Sequence, residues 1–510
     1  MECFTWLLMK KNMLPFHKLF TLIAWMSCVM AGFPLSAQKH ISKRQFKKKV
    51  MACVQDTVFN HASLSIQFTS LKDGKTIFAI DEHRALIPAS ILKIMSCKLM
   101  LDAYGPEFCF RTPIFLQEYK SNSGNLSHAI RVRGSGDPSF CSPYMEDAIS
   151  MDSLSSCVAS ALKRIDVDTI GQGIAMDQSW LQTEYDNPEW LYYDLGNYYG
   201  STCRALNYRE NEWIIQIAPA ITPGGYCPVF WQKKWLNPSA FYSRVVGVEG
   251  FPQGDRYVLG SSAVTPRPVI GQWKVGGNDT AIIRASMAEP SEEFVRDFSL
   301  GLQNHHIVMH GGQPPSLDSF TPGKELALYE VNSPPLKQIV QRALDKSVNL
   351  YCESFLLKLA EKWSGTTNRD SGLNYLNNMI RLSLPKSVAL QIKDGSGLSP
   401  KNLMSAFTMN QFLMNHQKTI GNEPFYPYLT NVHINGSLRK YLQTKPSPSK
   451  AIFAKSGSME RVRAYAGYLV EEGKPVAVFS ILVNNFQSKP QAVQEKIAGL
   501  LDQLMLVKLN

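Results

Sequence analysis

In PASILKIMS, residues 88–96, Ser90 and Lys93 stand three positions apart among Ile91, Leu92, Ile94 and Met95. On a helix that spacing puts both side chains on one face, within hydrogen-bond reach. A lysine in apolar surroundings must snorkel, pair or lose its proton. A deprotonated amine beside a hydroxyl is a nucleophile with its base. Ser-x-x-Lys alone is weak: it also starts at Ser36, Ser160, Ser383, Ser437 and Ser447, but only the copy at Ser90 opens an apolar helix. There the helix N-terminus favours a developing oxyanion. The plain alternative is an N-cap serine with a snorkelling lysine.

Two further patterns could join it. In DKSVNLYCESFLLKLAEKW (345–363), Ser347 and Asn349 fall at the start of an amphipathic helix, followed by Glu353. Their chemistry would be a hydroxyl that relays a proton and an amide that holds a carbonyl; their bland role would be capping. A second Ser-x-Asn, at Ser123 and Asn125, has nothing around it. In FAKSGSMERVRAYAGYL (453–469), Lys455-Ser456-Gly457 is the one Lys-Ser/Thr-Gly of the chain. Glycine in a strand lets a ligand backbone come close, while the lysine and hydroxyl suit a carboxylate. The three patterns occur in the order known from penicillin-binding proteins and class A β-lactamases. In that company Lys93 reads as a buried amine depressed toward neutrality, taking the proton of Ser90.

The elements around these motifs follow from periodicity. SLSIQFT (63–69), a turn at Asp73-Gly74 and TIFAI (76–80) predict a β-hairpin. The helix from about Pro88 to Tyr104 is apolar on nearly all sides, so it belongs at the centre of a core. AIFAKSGS (451–458), VRAYAGYLV (462–470) and PVAVFSILVNN (475–485) predict consecutive antiparallel strands, and KPQAVQEKIAGLLDQLMLV (489–507) a closing helix. Residues from about 105 to 325 are mostly short strands punctuated by Gly and Pro. One α/β domain split by a large mostly-β insertion results.

With 510 residues, two or three domains are expected. Lys10, Lys11 and Lys18 precede the apolar run 19–33, then Pro34, Ser36 and Ala37. That is the pattern of a cleaved signal peptide, residues 1–37, with an extracytoplasmic, periplasmic destination; a retained anchor is the alternative. Of the net charge of +11, residues 1–49 supply +8, which argues against a basic nucleic-acid-binding face on the folded part. KHISKRQFKKK (39–49) reads as a solvated leader tail or as a peripheral contact with anionic membrane or wall polymer. The ten cysteines contain no Cys-x-x-Cys pair, so neither a zinc ribbon nor a thioredoxin-type site is supported, and most should be buried. No P-loop, His-Glu-x-x-His or Gly-x-Ser-x-Gly motif is present, and His305, His306 and His310 read as surface residues.

The three motifs, the long gap from Ser90 to Ser347 and the shorter one to Lys455 resemble the D-alanyl-D-alanine carboxypeptidase/endopeptidase family, the DacB-type class C low-molecular-mass penicillin-binding proteins. GSGDPSF (134–140), MDQSW (176–180), DLGNYYG (194–200), SPPLKQIV (333–340), DGSGLS (394–399) and NGSLRK (435–440) are also similar to it. Serine in place of the usual threonine at 456 keeps the hydroxyl. The resemblance implies an α/β (α+β) serine transpeptidase/β-lactamase-like catalytic domain, antiparallel sheet with helices, over 38–104 and 325–510. It places an inserted domain at 105–210 and 285–324, and a nested mostly-β domain at 211–284. It implies an acyl-enzyme on Ser90 with Lys93 as base, Ser347 and Asn349 assisting, Lys455 and Ser456 binding the terminal carboxylate, and Gly457 among the substrate-binding residues. The oxyanion would lie between the N–H groups of Ser90 and Ser458, and Asp177 would contact the free amine of a diamino acid. Substrates would be peptidoglycan peptides, with β-lactams as covalent inhibitors and no metal or organic cofactor. The rival readings are a serine β-lactamase or esterase, for which Glu353 is the carboxylate to test, and a non-catalytic wall-binding scaffold.

Overall fold

The computed structural model describes residues 40–509 except 121–125, 183–185, 232–239, 262–263, 311–324, 387, 420 and 445–448. The leader at 1–37 and the second Ser-x-Asn at 123–125 lie outside the described residues.

Alternating apolar residues build a six-stranded antiparallel sheet in the order Thr430–Asn431, Lys450–Met459, Val462–Glu471, Lys474–Asn484, Ser63–Ser70, Thr76–Ile80. The N-terminal hairpin therefore completes a sheet begun at the other end of the chain: Ile66 pairs with Ile481 and Phe68 with Phe479. Period-two alternation sends Phe479, Ile481 and Val483 to one face and Val478 and Leu482 to the other. The first face is covered by the helices Lys43–Val54 and Pro490–Leu506. The second carries the helix Lys93–Tyr104, whose residues Lys93 to Leu101 are all buried, packed among Leu336–Asp345, Asn349–Ser364, Arg369–Leu382 and Ala406–Asn415.

The basic segment near the N-terminus is not a solvated tail. Ser42 caps the helix Lys43–Val54 through a full capping box with Gln45. Phe46, Val50 and Val54 are buried, and the Phe46 ring meets Phe68 edge-on at 5.4 Å. Arg44, Lys47 and Lys48 stay exposed with Met51 on another face.

The insertion has its own core. Its main sheet runs Glu325–Asn332, Arg111–Lys120, Leu126–Arg133, Ile174–Asp177. Because Glu325–Asn332 pairs with Arg111–Lys120, the chain rejoins the catalytic domain only after residue 332, not at 325. Two three-stranded sheets, one of Glu212–Ile217, Val229–Trp231 and Ala281–Ser286, the other of Phe241–Val248, Tyr257–Val258 and Arg267–Lys274, form the nested part. Glu210 bolts the insertion to the catalytic helices. Its carboxylate accepts two bonds from Arg342 (2.6 and 2.8 Å) and one each from Tyr351 and Ser142 (2.7 Å). Five of the eight described cysteines (Cys97, Cys141, Cys203, Cys227 and Cys352) are buried, and all eight are free thiols.

A folded helix and a solvated tail differ in what a substitution costs. Phe46→Ala should destabilise the protein by about 3–5 kcal/mol, while Lys47→Ala should stay within about 0.5 kcal/mol. Thermal unfolding of both variants checks the difference; equal, negligible effects would restore the tail.

Candidate active site

Pro88 leads into a 3₁₀ turn, Ala89–Leu92, that runs straight into the helix Lys93–Tyr104. Residues three apart eclipse in a 3₁₀ turn, so the Lys93 amine comes within 2.9 Å of Ser90 Oγ. Neither the turn nor the helix has a side-chain N-cap bond, so Ser90 is not a capping serine. Ala89 is held at φ 47°, a conformation that costs of order 1–3 kcal/mol outside glycine.

Lys93 is completely buried and has two other partners: Asn349 Oδ1 at 2.5 Å and the Ser396 carbonyl at 2.7 Å. An ammonium would have three protons for these three oxygens. A neutral amine fits them equally well, donating to Asn349 and Ser396 and accepting from the Ser90 hydroxyl, the one partner that has a proton to give. Burial drives the amine below the ordinary lysine range, toward the neutral form, against the opposing pull of Cys352, Asp394 and Glu353.

Asn349 begins the helix Asn349–Ser364, which likewise has no side-chain cap. The Asn349 amide is fixed at both ends, accepting from Lys93 and donating one of its two N–H groups to the Tyr199 carbonyl at 2.7 Å. Ser347, two residues earlier, is held at φ 59°, a second strained residue beside the cluster.

The third wall is the strand Lys450–Met459. On its outer edge, among the described residues, only Phe453 and Ala454 have a strand partner, Thr430–Asn431, so Lys455 to Met459 present an edge to which an extended peptide can add. Lys455 is buried and donates to the Ser456 carbonyl at 2.7 Å. Burial, then the nearby Lys93, lower its amine to about 7. Gly457 packs on the nucleophile turn: a Cβ there would lie 2.7 Å from the Pro88 carbonyl and 2.9 Å from the Ser90 nitrogen. Ser458, the next residue, is exposed.

Ser90, Lys93, Asn349, Lys455 and Gly457 thus converge, with Ser347, Ser456 and Ser458 adjacent in the chain. Asp177 does not fit the role expected of it. It is buried and its carboxylate is fully engaged, by Arg131 (2.5 Å), Arg133 (3.1 Å) and the Ser179 amide (3.0 Å) and hydroxyl (2.6 Å). Burial pushes its carboxyl up, but Ser179 and Arg131 outweigh that and hold it at about 2. It is a structural anion of the insertion, with no free acceptor for a substrate amine. Missed from sequence were the carbonyls of Ser396 and Tyr199, although both lie in stretches that resemble the family, DGSGLS (394–399) and DLGNYYG (194–200). Among the described residues no cluster of His, Cys, Asp and Glu could hold a metal ion.

Gly457→Ala should displace the Ser90 turn and slow penicillin acylation about 10²-fold, the order expected for a misplacement near 1 Å. Timed mass spectrometry of the adduct checks this; a variant acylated at the wild-type rate would refute the close approach.

Known proteins resemble this chain in sequence and in fold. The chain is 26% identical over 457 residues to the penicillin-sensitive carboxypeptidase A of Dictyostelium discoideum, covering 84% of this chain and 83% of that protein. It is 21% identical over 478 residues to the D-alanyl-D-alanine carboxypeptidase of Actinomadura sp. strain R39, covering 89% and 84%. The crystal structure of penicillin binding protein 4 from Haemophilus influenzae superposes with a TM-score of 0.71 at 17% identity, covering 89% of this chain and 98% of that one, which shows the shared fold. The same protein in complex with a β-lactam gives a TM-score of 0.67 at 16% identity, covering 90% and 99%. A family model matches residues 46–504, nearly the whole described chain: the protein belongs to the D-Ala-D-Ala carboxypeptidase 3 (S13) family.

Proposed function

We propose that Ser90 is the acylated nucleophile of a hydrolase that cuts the bond after the penultimate D-alanine of peptidoglycan stem peptides. The enzyme class, a serine-type D-Ala-D-Ala carboxypeptidase/endopeptidase, is that of its family. The observation that carries the proposal is the buried Lys93 amine, 2.9 Å from Ser90 Oγ with two fixed acceptors. Lys93 takes the hydroxyl proton as Oγ attacks the carbonyl. Ser347 passes a proton to the leaving amine and Asn349 orients the acyl group. The backbone N–H groups of Ser90 and Ser458 receive the oxyanion, and Lys455 and Ser456 hold the terminal carboxylate. Water then releases the shortened peptide and restores Ser90. A free D-alanine or a cross-linked neighbour can be the leaving amine, since the bond is of the same type. Penicillin and other β-lactams would acylate the same serine; the penicillin-sensitive relative and the β-lactam complex of the Haemophilus protein support this. The β-lactamase reading needs a deacylating carboxylate, and Glu353, the residue considered for it, is buried and accepts the Gly395 N–H at 3.0 Å.

An extracytoplasmic location belongs to the proposal, supported by the leader at 1–37. Contact with an anionic surface would come through the exposed Arg44, Lys47 and Lys48 of a folded helix rather than through a tail. An N-terminal sequence of the mature protein that starts at Gln38 would support export; an intact leader would count against cleavage.

Intact mass after mixing residues 38–510 with penicillin is the decisive measurement. A single adduct on the wild type and none on Ser90→Ala is expected; labelling of both, or of neither in folded protein, would sink the assignment. Substrate affinity should also depend on pH. As pH rises through about 7 Lys455 loses its proton and with it the attraction for a carboxylate, so KM for a D-Ala-D-Ala peptide should climb. Lys455→Ala should flatten that dependence, and a flat wild-type profile would remove Lys455 from the carboxylate site.

A further inference from the structure

The Ser396 carbonyl is fixed from behind by a tightly clamped turn. Asp394 is buried and accepts from the Gly397 N–H (2.7 Å), the Ser399 N–H (2.6 Å), the Asn402 side chain (2.8 Å) and the indole of Trp190 (2.9 Å). Gly395 is held at both its polar groups, its N–H by Glu353 at 3.0 Å and its carbonyl by the Ser96 hydroxyl at 2.6 Å. The turn also packs without slack. A Cβ on Gly395 would lie 2.5 Å from the Cys352 carbonyl, and one on Gly397, at φ 85°, 2.1 Å from the Ala89 carbonyl. Ser396 therefore has one place to be, with its carbonyl on Lys93. Trp190, buried, reaches this turn from the inserted module, and Glu353 reaches it from one turn along the Asn349 helix.

We propose that Trp190 and Glu353 are positioning residues that set the proton affinity of Lys93 through the Asp394–Gly397 turn, so that the inserted module takes part in tuning the general base. The inference rests on Lys93 acting as the base of Ser90. The titratable groups facing Lys93 are Cys97 on its own helix, Cys352 and Glu353 on the Asn349 helix, Asp394 on the turn and Lys455 on the strand. Glu353 in turn faces Asp394, Arg369 and Lys93, and burial with Asp394 alongside raises its carboxyl to about 7. In so dry a site a charge acts strongly over several ångströms.

The two residues act with opposite sign. The Trp190 indole is one of four donors that spread the negative charge of Asp394. Without it the carboxylate pulls harder on Lys93, and the loosened turn admits water; both changes favour the ammonium. Glu353→Gln keeps a carbonyl oxygen to accept the Gly395 N–H and removes the negative charge that Glu353 carries as pH rises through about 7, which favours the neutral amine.

The test is the penicillin acylation rate of the full chain as a function of pH. Below the Lys93 transition the rate falls about tenfold per pH unit. Trp190→Phe should move this acid limb to higher pH and Glu353→Gln should move it to lower pH, each readable as a rate change at fixed pH. A purely structural role would lower yield or melting temperature without opposite displacements. Folded variants whose acid limbs coincide with the wild type, or move the same way, overturn the inference. If Trp190→Phe does not fold, Glu353→Gln decides alone, and a limb that stays or moves upward overturns it. A wild type that is not acylated at all overturns the acyl-serine assignment and this inference with it; an acylated wild type with unmoved variants overturns the inference only.

Discussion

The Lys93 amine is shut away from water and touches three oxygens drawn from three distant parts of the chain: Ser90, Asn349 and the Ser396 carbonyl. An uncompensated buried ammonium would cost several kcal/mol. The surroundings must therefore either match the charge or let the proton go. This cage accommodates a neutral amine beside a hydroxyl, and much of the architecture serves to hold its corners. The six-stranded sheet brings the two ends of the chain together and presents Gly457 against the nucleophile turn. The helices around Lys93–Tyr104 exclude water from the amine.

Holding those corners requires backbone that local preference alone would not choose. Ala89 and Ser347 both sit at positive φ, on either side of the cluster. Close packing surrounds Ala89 and the residue after it. The Ala89 carbonyl is so close to Gly397, and the Ser90 nitrogen to Gly457, that neither glycine can carry a side chain. Strain at the reacting residues is offset by packing elsewhere.

The insertion is part of this apparatus rather than an appendage. The Tyr199 carbonyl orients the Asn349 amide, the Trp190 indole reaches Asp394, and Glu210 is locked to Arg342 and Tyr351 in a buried four-bond junction. Removing one partner of such a junction leaves a buried charge unmatched, which is far more damaging than the pair itself is stabilising.

The three motifs, their order, the central buried helix and the terminal strands were legible in the sequence because each is a local pattern. Side-chain chemistry is written in residue identity, and burial in a period of two or 3.6. Even the N-terminal helix was signalled, by Phe46, Val50 and Val54 at four-residue intervals, but its lysines dominated the reading. Tertiary structure alone decided the rest. Ser396 and Tyr199 act through carbonyls, which every residue has, so no letter marks them. Asp177 carries the right charge in the right motif, yet Leu126–Arg133 pairs in parallel beside it and brings Arg131 and Arg133 onto its carboxylate. Likewise only pairing shows that Glu325–Asn332 belongs to the insertion's sheet. A sequence specifies which groups a chain has to offer; which of them remain unsatisfied, and so free for chemistry, depends on neighbours hundreds of positions away.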